Sequence, residues 1–199
     1  MSSPVLEVLG NKHCATCPLS KSSEHLSVRN QTVMMNARYF PKAAIKLLFV
    51  AESPPMAFAK NGTSYFYAPK KMTGSRLAYH TMCALFEKQF PTKEQFLEEF
   101  SKENYLVDMV KCPINKLEND DKRDALLSCA KYLNEELHAL NFEKALFVGK
   151  GSYSVINSRL DLQNLNYEVI PLPYHSKRNI EEFKRRLAQA SKNIPSLKT

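Results

Sequence analysis

Two carboxylates stand at or near the ends of apolar runs. Glu52 closes AAIKLLFVAE (43–52) and is followed by Ser53, Pro54 and Pro55. A carboxylate there can activate water or bind a metal, or it can simply be solvated. The two prolines stop the run and leave a rigid loop without amide donors, suited to pressing on a ligand. Asp108 lies inside the otherwise apolar NYLVDMVKC (104–112). A bare carboxylate is costly to bury, so Asp108 is expected to be hydrogen-bonded or functional. In VGKGS (148–152), glycines and Ser152 stand where a helix would begin, a candidate anion site. The spacing is not that of a Walker A loop. LPYHSKRN (172–179) gathers Tyr174, His175, Ser176, Lys177, Arg178 and Asn179, side chains suited to gripping phosphate. Tyr65, Phe66 and Tyr67 either fill core or offer a stacking platform for a flat ligand.

The cysteines form a second constellation. Cys14 and Cys17 make a C-x2-C pair, and Cys112 and Cys129 follow much later. A thioredoxin-type motif does not fit, because that pair follows a strand and opens a helix. Four thiolates from one close pair and two distant positions suit a [4Fe–4S] cluster or a zinc site. Burial without a ligand is the alternative for Cys112 and Cys129. Cys83 falls in a helical pattern and reads as packing.

The elements that must position these groups follow from hydrophobic period. Strands are expected in 43–52, 104–112, 144–149 and 167–173, and helices in 75–90, 92–100 (capped by Thr92), 122–140, 151–160 and 179–192. Residues 1–30 read as polar and irregular. Short, largely apolar strands separated by helices predict a parallel sheet covered on both faces. Ligands of such sheets bind beyond the carboxyl ends of the strands. The segments singled out above lie at those ends.

The chain has 199 residues, 44% hydrophobic and 24% charged, the profile of one globular domain over 1–199. Its 28 Lys and Arg against 20 Asp and Glu leave a net charge of +8, which favours a polyanionic partner. No run approaches the ~20 apolar residues of a membrane span, and the N-terminus has no secretory pattern. The expectation is a cytoplasmic (or nuclear or nucleoid-associated) monomer with reduced cysteines and no membrane partner.

In order and spacing these pieces resemble the uracil-DNA glycosylase superfamily, closest to its iron–sulfur branch. The resemblance runs from Cys14 to about Ala190 and rests on no single motif. Ala51-Glu52-Ser53-Pro54-Pro55 resembles the branch's G-E-A-P-G-like turn, and Phe66 in SYFY looks like its base-stacking Phe. Val110-Lys111-Cys112 resembles the strand end V-K-C, with Cys129 as the fourth cysteine. FVGKGSYSVI is similar to the L-G-x-x-A segment, and PYHSKRN to P-H-P-S-G-R-N. The resemblance implies a three-layer α/β/α sandwich with a four-stranded parallel sheet. It implies a [4Fe–4S] cluster on Cys14, Cys17, Cys112 and Cys129, and hydrolysis of the N-glycosidic bond of a damaged base in DNA.

Roles follow from the same resemblance. Glu52 positions or activates the water, Phe66 stacks on the flipped base, and His175 or Tyr174 stabilises the departing base. Ser53, Pro54, Ser152, Ser176, Lys177 and Arg178 are candidates for holding substrate. The sequence departs from the family at Asp108, where members commonly carry Asn. An amide matches both O4 and N3–H of uracil, whereas an ionised Asp only accepts and would repel O4. Such an Asp suits an exocyclic amino group, while a protonated Asp could still take uracil. Two other readings compete with the enzyme: a non-catalytic nucleic-acid-binding relative of the same fold, and a zinc-stabilised interaction module.

Overall fold

The computed structural model describes residues 17–56, 65–68, 76–86, 89–173 and 176–193. Its α-helices are α1 (Ser23–Arg38), α2 (Arg76–Leu85), α3 (Lys93–Phe100), α4 (Asn119–Ala139), α5 (Lys150–Ile156) and α6 (Lys177–Lys192). The strands are β1 (Ile45–Ala51), β2 (Asn104–Asp108), β3 (Phe142–Val148) and β4 (Tyr167–Ile170). All pair in parallel, in the order β2-β1-β3-β4. Every residue of β1 is buried, as a central strand covered on both faces requires.

The topology chooses where a ligand can bind. From β1 the chain crosses to β2 on one side, then returns past β1 to β3 and on to β4. Right-handed crossovers put α2 and α3 on one face and α4 and α5 on the other. The close packing of α2 on α6 and of α4 on α5 agrees with this three-layer arrangement. The direction of travel reverses at β1, so the crevice of the sheet opens at its carboxyl end. Glu52 is the next residue.

The structure revises several expected elements. Residues 23–38, partly assigned to the irregular start, form helix α1, capped by Ser22, which accepts a hydrogen bond from the His25 amide. Its buried face is Val28, Thr32, Val33 and Asn36, half of it polar, so apolar period did not mark it. Strand β2 stops at Asp108, and 109–112 turns away from it. Cys83 is exposed on α2 and does no packing. Thr92 caps α3 as expected, accepting from Gln95 N at 3.2 Å. Among the described residues no helix is long and apolar enough to cross a membrane.

Candidate active site at the strand ends

The ends of β1 and β2 are fastened together. Ala51 and Asp108 are register partners, and the pairing continues into the loops. Met109 N donates to Ala51 O at 2.7 Å and Val110 N to Glu52 O at 3.0 Å. Met56 N donates to Asn115 Oδ1 at 3.1 Å, fixing the far side of the proline turn, in which Pro54 is buried and Ser53 half-buried. Two carboxyl side chains are thereby set at neighbouring strand ends on a rigid base.

Both oxygens of Glu52 are engaged. Oε2 accepts a hydrogen bond from Ser152 Oγ, and Oε1 meets Lys122 Nζ at 2.8 Å. Ser152 is delivered by the tight β3–α5 turn. There Gly149 adopts φ +115° and donates its N–H to Ile170 O at 2.9 Å. A side chain at 149 would be strained at that φ, so the turn favours glycine. Lys122 comes from the first turn of α4. Ser152 is thereby held against the Glu52 carboxylate.

Asp108 is buried, and Tyr65 is its side-chain partner among the described residues, with Tyr65 Oη 2.7 Å from Asp108 Oδ2. The expected hydrogen bond exists. Burial pushes the Asp108 carboxyl up to about 6, against the pull of the Lys111 ammonium and of the Tyr65 hydrogen bond. The same phenolic oxygen lies 2.8 Å from Oδ1 of the buried Asn36 on α1. Burial, and next the Asp108 charge, push the Tyr65 phenol well above its ordinary value.

The aromatic loop 65–68 also seals the outer edge of β2, which otherwise exposes unpaired backbone groups. Leu106 N donates to Tyr67 Oη at 2.7 Å, and Asn36 Nδ2 faces Leu106 O at 3.4 Å. Lys93, buried at the start of α3, donates from Nζ to Tyr65 O at 2.7 Å. Burial pulls its ammonium down to about 7. Phe66 is buried with its ring edge-on to Tyr67, Phe96 and Phe100, the closest at 5.0 Å between centroids. Core packing thus claims this ring.

After β4, Ser176 caps α6 by accepting from Asn179 N at 3.1 Å, and Lys177 and Arg178 are exposed in its first turn. Tyr174 and His175 lie outside the described residues. Because the sheet is wholly parallel, the carboxyl end of β4 lies at the same sheet end as Glu52, Asp108 and Ser152. A larger cavity of about 580 Å³, lined by Arg38, Tyr39, Lys42 and Lys102 among others, opens before β1 and β2, at the opposite end from this chemistry.

Cys17, Cys112 and Cys129 are all buried thiols, whereas Cys14 lies outside the described residues. Cys17 and Cys129 are hydrogen-bonded, and that contact first, then the Leu19 backbone, holds the Cys17 thiol down to about 6 despite burial. Cys112 and Cys129 line one cavity of about 20 Å³ with Arg29, Lys111 and Glu136. Among the described residues no three His, Cys, Asp or Glu side chains stand close enough to hold one metal ion. A four-iron cube holds its sulfurs farther apart than a single ion does. A thiol near its thiolate state, two further buried thiols and the cations Arg29 and Lys111 beside two of them have the chemistry of thiolate ligands.

Asn36, Lys93 and Lys122 were not marked by the sequence. Lys122 sits on a polar helix face like many others, and Asn36 lies on a helix without an apolar stripe. No curated protein matches the chain. The model of the uracil DNA glycosylase superfamily matches residues 37–198, from the end of α1 through α6 and so across all four strand ends. That superfamily acts on DNA and generally hydrolyses N-glycosyl bonds. On a match of this extent the chain belongs to the Uracil DNA glycosylase superfamily.

Proposed function

We propose that the protein is a monofunctional DNA glycosylase that hydrolyses the N-glycosidic bond of uracil or another deaminated or damaged base. The observation that carries this reading is the fixed carboxylate of Glu52 at the switch point of the sheet, one register step from Asp108. The base leaves the stack and enters the crevice. The C–N bond breaks with its electron pair going to the base, through an oxocarbenium-like sugar. Glu52 accepts a proton from the water that adds to the sugar carbon. Tyr174 or His175 would steady charge on the departing base. Asp108 faces the base edge. Ser53, Ser176, Lys177 and Arg178 are assigned to the DNA backbone, in line with the net charge of +8.

We place the protein in the iron–sulfur branch. Cys14, Cys17, Cys112 and Cys129 would hold a [4Fe–4S] cluster, which when bound would clip the N-terminal segment to the β2 loop and α4. The support is the hydrogen bond of Cys17 with Cys129 and the small cavity that Cys129 shares with Cys112.

A second reading is favoured by the engagement of both Glu52 oxygens, which a purely structural ion pair would also show. That reading is a nucleic-acid-binding relative without base excision. Incubation with oligonucleotides carrying uracil, hypoxanthine, xanthine or mismatches separates the two. Abasic sites from the wild type, lost in Glu52→Gln, support the enzyme. DNA binding without abasic sites on any substrate supports the binding relative.

A further inference from the structure

Hydrogen counting around Tyr65 fixes more than a contact. Its one phenolic hydrogen faces two oxygens, Asp108 Oδ2 at 2.7 Å and Asn36 Oδ1 at 2.8 Å. Two oxygens at such distances need a hydrogen between them, so the two contacts need two hydrogens. The other end of Asn36 decides which group supplies the second. Leu106 O lies on the outer edge of β2, buried under α1 and the aromatic loop, and must find a donor. Asn36 Nδ2 at 3.4 Å is the donor facing it. Turning the amide over would set Oδ1 against that carbonyl and leave it orphaned. With Nδ2 committed to Leu106, Oδ1 accepts from Tyr65, and the hydrogen between Tyr65 and Asp108 belongs to the carboxyl.

We propose that Asn36, acting through Tyr65, biases Asp108 toward its protonated form, in which it offers the base an uncharged carbonyl oxygen where an ionised carboxylate would otherwise stand. Asn36 and Tyr65 are then positioning residues for specificity. The sequence of donors runs from Asp108 Oδ2–H to Tyr65 Oη, from Tyr65 O–H to Asn36 Oδ1, and from Asn36 Nδ2–H to Leu106 O. Asp108 Oδ1 remains as a neutral acceptor. It can take a ring N–H without repelling the carbonyl beside it, the arrangement on the edge of a deaminated, keto base. This last step rests on the reading of Asp108 as the residue at the base edge.

The groups around Asp108 pull in opposite directions: burial and the Glu136 charge favour the acid, and the Lys111 ammonium favours the carboxylate. Besides Tyr65, the titratable and charged groups acting on Asp108 are Tyr67 from the aromatic loop, Tyr105 from β2, Lys111 beyond the strand and Glu136 from α4. Lys111 is spent on Glu136 Oε2 and on the Asp108 backbone carbonyl, each at 2.8 Å. No described cation reaches the carboxyl oxygens as a direct partner.

The test uses the full chain and infrared difference spectra of wild type against Asp108→Asn at pH 6. The expected result is a carboxylic-acid C=O band in the wild type, where an ordinary Asp would be ionised. In Asn36→Leu, Tyr65 is free to donate to Asp108, and the titration midpoint of the band should fall by about one unit or more. In Tyr65→Phe the acid loses its acceptor, and the band should persist at higher frequency. A carboxylate signal alone at pH 6, or an unchanged midpoint in Asn36→Leu with native folding, overturns the relay. Uracil excision followed over the same pH range should fall as Asp108 ionises and stay flat in Asp108→Asn. An acid band in a protein that releases no base keeps the proton assignment and removes its role in base reading. Excision without the band removes the relay and leaves the glycosylase.

Discussion

Ser152 and Glu52, one hundred residues apart, share a hydrogen bond across the gap between the carboxyl ends of β1 and β3. Gly149 shapes the turn that brings the serine there, and Lys122 holds the other carboxylate oxygen. If Glu52 directs a water, both supports affect rate more than substrate affinity. Ser152→Ala should lower the single-turnover rate about ten-fold, from the loss of a charge-assisted hydrogen bond worth ~1.5 kcal/mol. Lys122→Met should cost about five-fold, because the pair is partly exposed and screened. Substrate affinity at low occupancy should hardly change in Ser152→Ala. Rates equal to wild type in both variants would show that Glu52 needs no orientation.

Lys177 and Arg178 are exposed at the start of α6, on the sheet end that carries Glu52. Replacing both by Ala should weaken binding to all DNA sequences alike and flatten the dependence of log K on log salt by about one unit per lost phosphate contact. An unchanged salt slope would remove this turn from the DNA interface.

The Asp108 carboxyl, raised by burial to about 6 from an ordinary 3.8, makes a prediction about stability. Its folded pKa lies above its unfolded one, so its contribution is full below about pH 4 and is lost as pH rises through 6. The loss should reach about 3 kcal/mol by neutral pH for a fully buried group shifted this far. Urea unfolding of wild type and Asp108→Asn from pH 4 to 8 isolates it, since other groups cancel between the two. The wild type should lose stability relative to the variant as pH rises. A constant difference would mean that Asp108 titrates as an ordinary carboxylate.

How far the sequence carried depended on what each signal measures. Continuous apolar runs located all four strands and, with them, the sheet end on which Glu52 and Asp108 lie. Burial cost alone predicted that Asp108 would be hydrogen-bonded. It could not say that Tyr65 was the partner, because their proximity comes from an aromatic loop folding over the edge of β2. Helix α1 escaped because Thr32 and Asn36 occupy positions where a helical stripe would be apolar, and Asn36 is there to reach Leu106 and Tyr65. Cys83, read as packing, proved exposed because its side of α2 faces away from the core.

The cysteine assignment has its own readout. Protein purified without oxygen should be brown, with broad absorption near about 400 nm and about four irons per chain. Cys17→Ser and Cys129→Ser should lose the colour and the iron together. A colourless protein with stoichiometric zinc would keep the ligands and change the metal, and one without any metal would leave three buried thiols as packing.

Whether Glu52 drives base excision is read by a single-turnover assay on single- and double-stranded DNA carrying uracil, comparing wild type with Glu52→Gln. Abasic sites are expected from the wild type, with a rate lower by about a hundred-fold or more in the variant, the usual scale for losing a general base. DNA binding should be retained in both. Equal rates in the two proteins, or no abasic site from the wild type on uracil, hypoxanthine, xanthine or mismatched bases while DNA still binds, would contradict base excision driven by Glu52.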